Sequence, residues 1–123
     1  MNKLIIIGNL TRDPEMRYTS EGQQVLNFTV AVNRRTRREH PEADYFRVTV
    51  WGGLAEVGGK WLTKGKKVCV VGPVRCRTYE TQDGSARAAL EVTAYELELL
   101  SPKEQNVDSQ TGYQQTEDED LPF

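Results

Sequence analysis

The stretch YFRVTVWGGLAEVGGKWL, residues 45–62, changes its period halfway along. From Tyr45 to Gly52 the residues alternate. Phe46, Val48 and Val50 fall on one side, and Tyr45, Arg47, Thr49 and Trp51 fall on the other. A period of two is the mark of a strand with one buried face. From Leu54 to Leu62 the pattern becomes helical, with Leu54, Val57, Gly58, Trp61 and Leu62 on one stripe and Lys64–Gly65 as a helix end. Gly58 and Gly59 cost such a helix about 1 kcal/mol each. The helix must therefore depend on packing, with Trp61 on its apolar side expected in the core.

Outward from this stretch the chain reads as strands. Lys3–Asn9 (KLIIIGN) is a buried type, and Gln24–Asn33 alternates with Leu26, Phe28, Val30 and Val32 inward. Val68–Tyr79 alternates again, interrupted by Pro73, which marks a bend or an edge. Arg87–Leu99 is a final strand or pair of strands. Turn signals stand between them at Ser20-Glu21-Gly22 and at Gln82-Asp83-Gly84-Ser85, the second a hairpin signal. The order β-β-β-α-β-β predicts an all-β fold: a five-stranded barrel of the OB type with one short helix.

Charge divides the 123 residues unevenly. Residues 1–103 carry all 16 Lys and Arg against 12 Asp and Glu, a net of +4, whereas residues 104–123 carry six acids and no base. Residues 1–102 read as the folded domain. Residues 103–116 (KEQNVDSQTGYQQT) have the polar, aperiodic composition of a disordered linker. Residues 117–123 (EDEDLPF) form an acidic tip ending in an aromatic residue. A basic body suits a polyanion, and an acidic tail suits a basic partner.

Cys69 and Cys76, seven positions apart on one strand, point to opposite faces and read as unpaired small packing residues. LIII (Leu4–Ile7) is too short for a signal peptide or a membrane span, so a cytoplasmic protein with no membrane partner is expected. His40 is the only histidine and has no nucleophile or metal-ligand cluster near it in sequence. No catalytic residue, metal or cofactor is expected.

Two strands carry the candidate site. Tyr45, Arg47 and Trp51 share the outward face of one, and Arg75, Arg77 and Tyr79 share a face of another. Aromatics interleaved with arginines suit unpaired nucleic acid. Each stacked base contributes roughly 1–3 kcal/mol with little sequence preference, and guanidinium groups take phosphates. The loop NRRTRRE adds Arg34, Arg35, Arg37 and Arg38 beside that face, where they can track a phosphate backbone.

With GNLTRDPEMRY near the start, DYFRVTVWGGLAEVGGKWLTKGKKV in the middle and DEDLPF at the end, the chain resembles the bacterial single-stranded DNA-binding proteins over about its first hundred residues and again at the tip. The resemblance implies an OB-fold protein that coats single-stranded DNA in replication, recombination and repair. It implies a homotetramer whose dimers pair through Lys3–Asn9. It assigns stacking to Tyr45, Trp51 and Tyr79, and basic contacts to Lys3, Arg47, Arg75 and Arg77. It makes Asp118, Glu119, Asp120, Leu121, Pro122 and Phe123 a docking peptide for partner enzymes. Thr36 and its flanking arginines replace a loop aromatic common in relatives, so more phosphate contact and less stacking is expected there. A primosome-type OB adaptor with weak DNA binding is the alternative reading.

Overall fold

The computed structural model describes residues 1–35 and 42–101. Eight strand segments and one helix follow in chain order. They are β1 (Leu4–Leu10), β2 (Glu15–Tyr18), β3 (Gln24–Asn33), β4 (Ala43–Trp51), α1 (Gly52–Trp61), β5 (Lys67–Gly72), β6 (Val74–Glu80), β7 (Ala86–Ala94) and β8 (Glu96–Leu99). Hydrogen-bonded neighbours run β6-β7-β4-β3-β1-β5-β8, with β2 added alongside β3. All pairs are antiparallel except β4 with β7. The two ends of this path are joined by the chain itself, because β5 runs into β6 and β7 runs into β8. The sheet thus curls into the partly open barrel of an OB fold.

The alternation read from sequence forms the interior. Leu26, Phe28 and Val30 of β3, Val48 and Val50 of β4, Val68 and Val70 of β5 and Val92 of β7 are all buried. Ile6 and Leu10 of β1 join them, and Ala55 and Leu62 close one end of the barrel. β-branched side chains dominate because they pack stiffly on a pleated surface.

The predicted strand at Val68–Tyr79 is two segments, broken at Pro73. A Cβ on Gly72 would stand 2.1 Å from the Thr93 carbonyl oxygen, so only glycine admits that approach. Pro73 then removes one N–H, while its carbonyl accepts from Thr93 N at 3.1 Å. The side chain of Asn2 repairs the ladder beyond the break. Its Nδ2 donates to Val74 O at 2.8 Å and its Oδ1 accepts from Val74 N at 3.0 Å. The predicted final strand likewise divides into β7 and β8, at Tyr95. The strand β2 was not expected from sequence; it pairs with β3 from Glu15↔Asn27 to Tyr18↔Gln24.

Two burial expectations are corrected. Trp61 is 44% exposed rather than core, and Val57 is exposed too. The buried stripe of α1 is Ala55 and Gly58, continued by Leu62 beyond its end. The reason is close approach: Cβ atoms on Gly58 and Gly59 would lie 3.0 Å from Leu26 and 2.9 Å from Met16. The helix lies against β3 and β2 on its glycines, which turns the bulky residues outward. Cys76 is exposed rather than packed. The β6–β7 hairpin runs past the barrel, so from Cys76↔Leu90 onward its inner face has no core to meet. Cys69 is half-buried and unpaired, and burial, then the charges of Glu98 and Glu96, push its thiol pKa up.

The hairpin tip follows the predicted turn. Asp83 accepts hydrogen bonds from Thr81 Oγ1, from Ser85 Oγ at 2.6 Å and from Ser85 N at 3.0 Å. These donors, Ser85 first, lower its pKa to about 2. A lowered carboxyl value means the charged form supports the turn. That support is complete above the ordinary value and fades as pH falls through the lowered one. The Ser85 amide signal should therefore titrate with a midpoint near 2; a midpoint at the ordinary 3.8 would show that the turn does not hold the carboxylate.

Gly72→Ala should cost about 3 kcal/mol, lowering Tm by about 10–20 °C, because the obstacle is backbone. Gly59→Ala meets only the terminal methyl of Met16 and should leave Tm unchanged or slightly raised. Thermal denaturation of both variants checks this, and equal losses would contradict it.

Candidate nucleic-acid interface

The outer face of the β3-β4-β7-β6 surface is built from the residues that alternate with the core. In β4 these are Tyr45, Arg47, Thr49 and Trp51; Tyr45 and Trp51 are 60% and 44% exposed. The antiparallel register places Ala31, Thr29, Asn27 and Val25 of β3 beside them in turn. On the other side the parallel ladder sets Glu91 beside Arg47, and the hairpin sets Arg75 beside Glu91. One row across the sheet thus reads Thr29, Arg47, Glu91, Arg75.

Tyr79 joins this face from the overhanging hairpin. The Arg47 guanidinium carbon lies over its ring, 5.6 Å from the centroid, a cation–π distance. Glu91 holds Arg75 at 3.5 Å and Arg77 at 3.3 Å. Asn27 donates to Thr49 Oγ1 at 2.9 Å and accepts from Arg17 at 3.1 Å. Beside these residues runs an open groove of about 510 Å³. Its lining includes Arg12, Arg17, Arg47 and Arg77, interspersed with Asp13, Glu15 and Glu91, and Asn27, Thr29 and Thr49 on the floor strands.

Trp51 occupies the N-cap of α1, with no side-chain cap hydrogen bond. A Ser, Thr or Asp there would add about 1 kcal/mol of helix stability. Gly52 follows at φ +66°, a left-handed conformation that glycine adopts without strain. The indole is left at the strand end, partly exposed.

The structure brings together Tyr45, Arg47, Trp51, Arg75, Arg77 and Tyr79 on one face. Lys3 is exposed just before β1, at the opposite end of that strand from Asn9, whose row continues through Ala31 to Tyr45. Arg34 is clamped at the base of the β3–β4 loop: Nε and Nη2 donate to Asp44 at 3.0 and 2.8 Å, and Nη1 to Glu42 at 2.9 Å. The hydrogen bond to Asp44, then the charges of Asp44 and Glu42, raise its pKa further. Arg35 is exposed. Arg37, Arg38 and the tip residues Asp118, Glu119, Asp120, Leu121, Pro122 and Phe123 lie outside the described residues.

Sequence reasoning placed Thr49 on the outward side of its strand but missed Arg12, Arg17, Asn27, Thr29 and Glu91 as parts of this surface. Asn27 and Thr29 were within reach, since they alternate with Leu26, Phe28 and Val30. Arg17 requires β2, and Glu91 requires the β4–β7 register, which pairs segments some forty residues apart and leaves no local signal.

Comparison with known proteins points to a single family. The single-strand binding protein family model matches residues 1–100. Single-stranded DNA-binding protein 2 of Clostridium acetobutylicum is 38% identical over 133 aligned positions that cover all of both chains. The single-stranded DNA-binding protein of Thermotoga maritima is 42% identical, over 89% of this chain and 81% of its own. That of Staphylococcus aureus strain MRSA252 is 39% identical, over 94% and 75%. With an OB-type barrel, an outward face of aromatics and arginines, and a family match across the whole described domain, the chain belongs to the single-strand binding protein family.

Proposed function

We propose that the protein binds single-stranded DNA without sequence preference, through the face made by β4 and the β6–β7 hairpin. The observation that carries this reading is the exposed aromatic set Tyr45, Trp51 and Tyr79, with Arg47 against the Tyr79 ring. Bases stack on the rings, and the arginines displace counterions from phosphates. Duplex bases, stacked on each other, offer no open faces to these rings. Protein and strand combine by stacking and ion pairing alone, a non-catalytic role.

The first strand supports self-association. Its ladder with β3 is registered only at Asn9 and Leu10, which leaves the edge from Leu4 to Ile7 without a β3 partner among the described residues. Ile5 and Ile7 stand 60% and 48% exposed on its outer side. An open apolar edge invites pairing with a second copy about a two-fold axis. We read this as the dimer contact of a homotetramer.

The tip EDEDLPF acts, in this reading, as a docking peptide for enzymes of replication, recombination and repair. An apolar slot takes the Phe123 ring, and Asp118, Glu119 and Asp120 steer the encounter to a basic rim. No helix of the described residues is long and apolar enough to cross a membrane, and we place the protein with DNA in the bacterial cytoplasm.

Titration with oligo-dT in a Trp61→Phe background reports Trp51 alone. Strong quenching by single strands and none by duplex is expected. The log–log salt slope should be about −0.7 per neutralised phosphate. Absence of both quenching and binding would leave an adaptor that works through its tail. Deleting Leu121 to Phe123 should abolish capture of partner enzymes while oligo-dT affinity stays nearly unchanged; retained capture would reject the docking role.

A further inference from the structure

Glu91 is the carboxylate that stands between the arginines of β4 and β6 on this face. It sits on β7, which is flanked by β4 and β6, so its strand neighbours are Arg47 on one side and Arg75 on the other. Its side chain is 23% exposed, whereas those of its ion-pair partners Arg75 and Arg77 are 73% and 59% exposed. The anchoring is therefore unequal. The carboxylate is fixed to a central strand, and the guanidinium groups reach it from long, solvated stems.

We propose that Glu91 is an internal stand-in for a DNA phosphate: it holds Arg75 and Arg77 when the face is empty and competes with the strand for them when it is full. The proposal rests on reading this face as the single-stranded DNA surface. A phosphate arriving near Arg75 or Arg77 has the geometry of a carboxylate ligand to a guanidinium fork, so the exchange is like for like. The arginines swing toward the strand. Glu91 stays where it is, now beside a phosphate of the same sign.

Two effects follow. Before binding, the arginines are held at the face rather than waving in water, so less side-chain freedom is lost on contact. After binding, the fixed negative charge presses on the nearest phosphate and speeds its departure. The carboxylate thereby sets an upper limit on affinity and keeps the strand exchangeable. This is a release device rather than an attractive contact.

The test uses the full chain and fluorescein-labelled oligo-dT, with anisotropy for affinity and stopped-flow competition for release. Removing one unit charge next to a phosphate on a half-exposed surface is worth about five- to tenfold. Glu91→Gln should bind tighter by that factor, mainly through slower release, and the gain should shrink with rising salt. It should also shrink in an Arg75→Ala/Arg77→Ala background, where no cation is freed. Glu91→Thr, neutral and well suited to a strand, makes the same comparison if the Gln variant folds poorly. Unchanged or weaker binding by either folded variant overturns the proposal and makes Glu91 a simple brace for the arginines. If the unsubstituted protein binds and quenches while the variants behave so, only the role of Glu91 falls. If it does not bind at all, the reading of the whole face falls with it.

Discussion

At Gly72 the chain crosses the strand that carries Thr93 so closely that a methyl group would collide with a carbonyl oxygen. Much else depends on this crossing. It lets one run of chain serve two ladders: β5 lies between β1 and β8, and β6 lies against β7. Backbone bonds on both sides stitch the crossing, Thr93 N to Pro73 O and Tyr95 N to Val71 O. Without the bend the sheet would have two free ends. With it, the ends are the same two pieces of chain, and the valines of β4, β5 and β7 face one interior.

The bend also divides the protein into two regimes. Before it, Val68 and Val70 are sealed in the core. After it, only Val74, Val92 and Ala94 of the β6–β7 hairpin still meet the core, and the rest of the hairpin projects into solvent. A strand that need not bury a face is free to carry Arg75, Arg77 and Tyr79. The register of β7 between β4 and β6 then brings those residues into line with Arg47. The face is thus produced by the same geometry that closes the barrel, and at the N-cap of α1 Trp51 stands as an outward ring where no side chain caps the helix.

What could be read from sequence was what depends on near neighbours. The period of β3 and β4, the Asp83-Gly84 turn and the break at Pro73 are all properties of a few adjacent residues, and so were Tyr45, Arg47 and Trp51 as an outward set. What could not be read depends on approach between distant segments. Gly58 and Gly59 looked like weak points in a helix; they are the surface on which it packs, and Trp61 is displaced outward as a result. Cys76 had the alternation of a core residue on a strand whose core ends two pairs earlier, at Val74↔Val92. Glu91 had no pattern to mark it, since its partners lie on two other strands.

The overhanging hairpin has a consequence for how such a protein can change over generations. Its residues meet water on both faces beyond Cys76↔Leu90, so substitutions there touch almost nothing that holds the barrel together. A domain of this size has little stability to spare, and most routes to altered function would draw on it. Here the hairpin that carries Arg75, Arg77 and Tyr79 is set apart from the fold, so its charge and aromatic content are open to drift and selection while the interior stays fixed. Copies of one ancestral chain within a single cell could therefore diverge in how tightly they hold a strand without first having to become more robust.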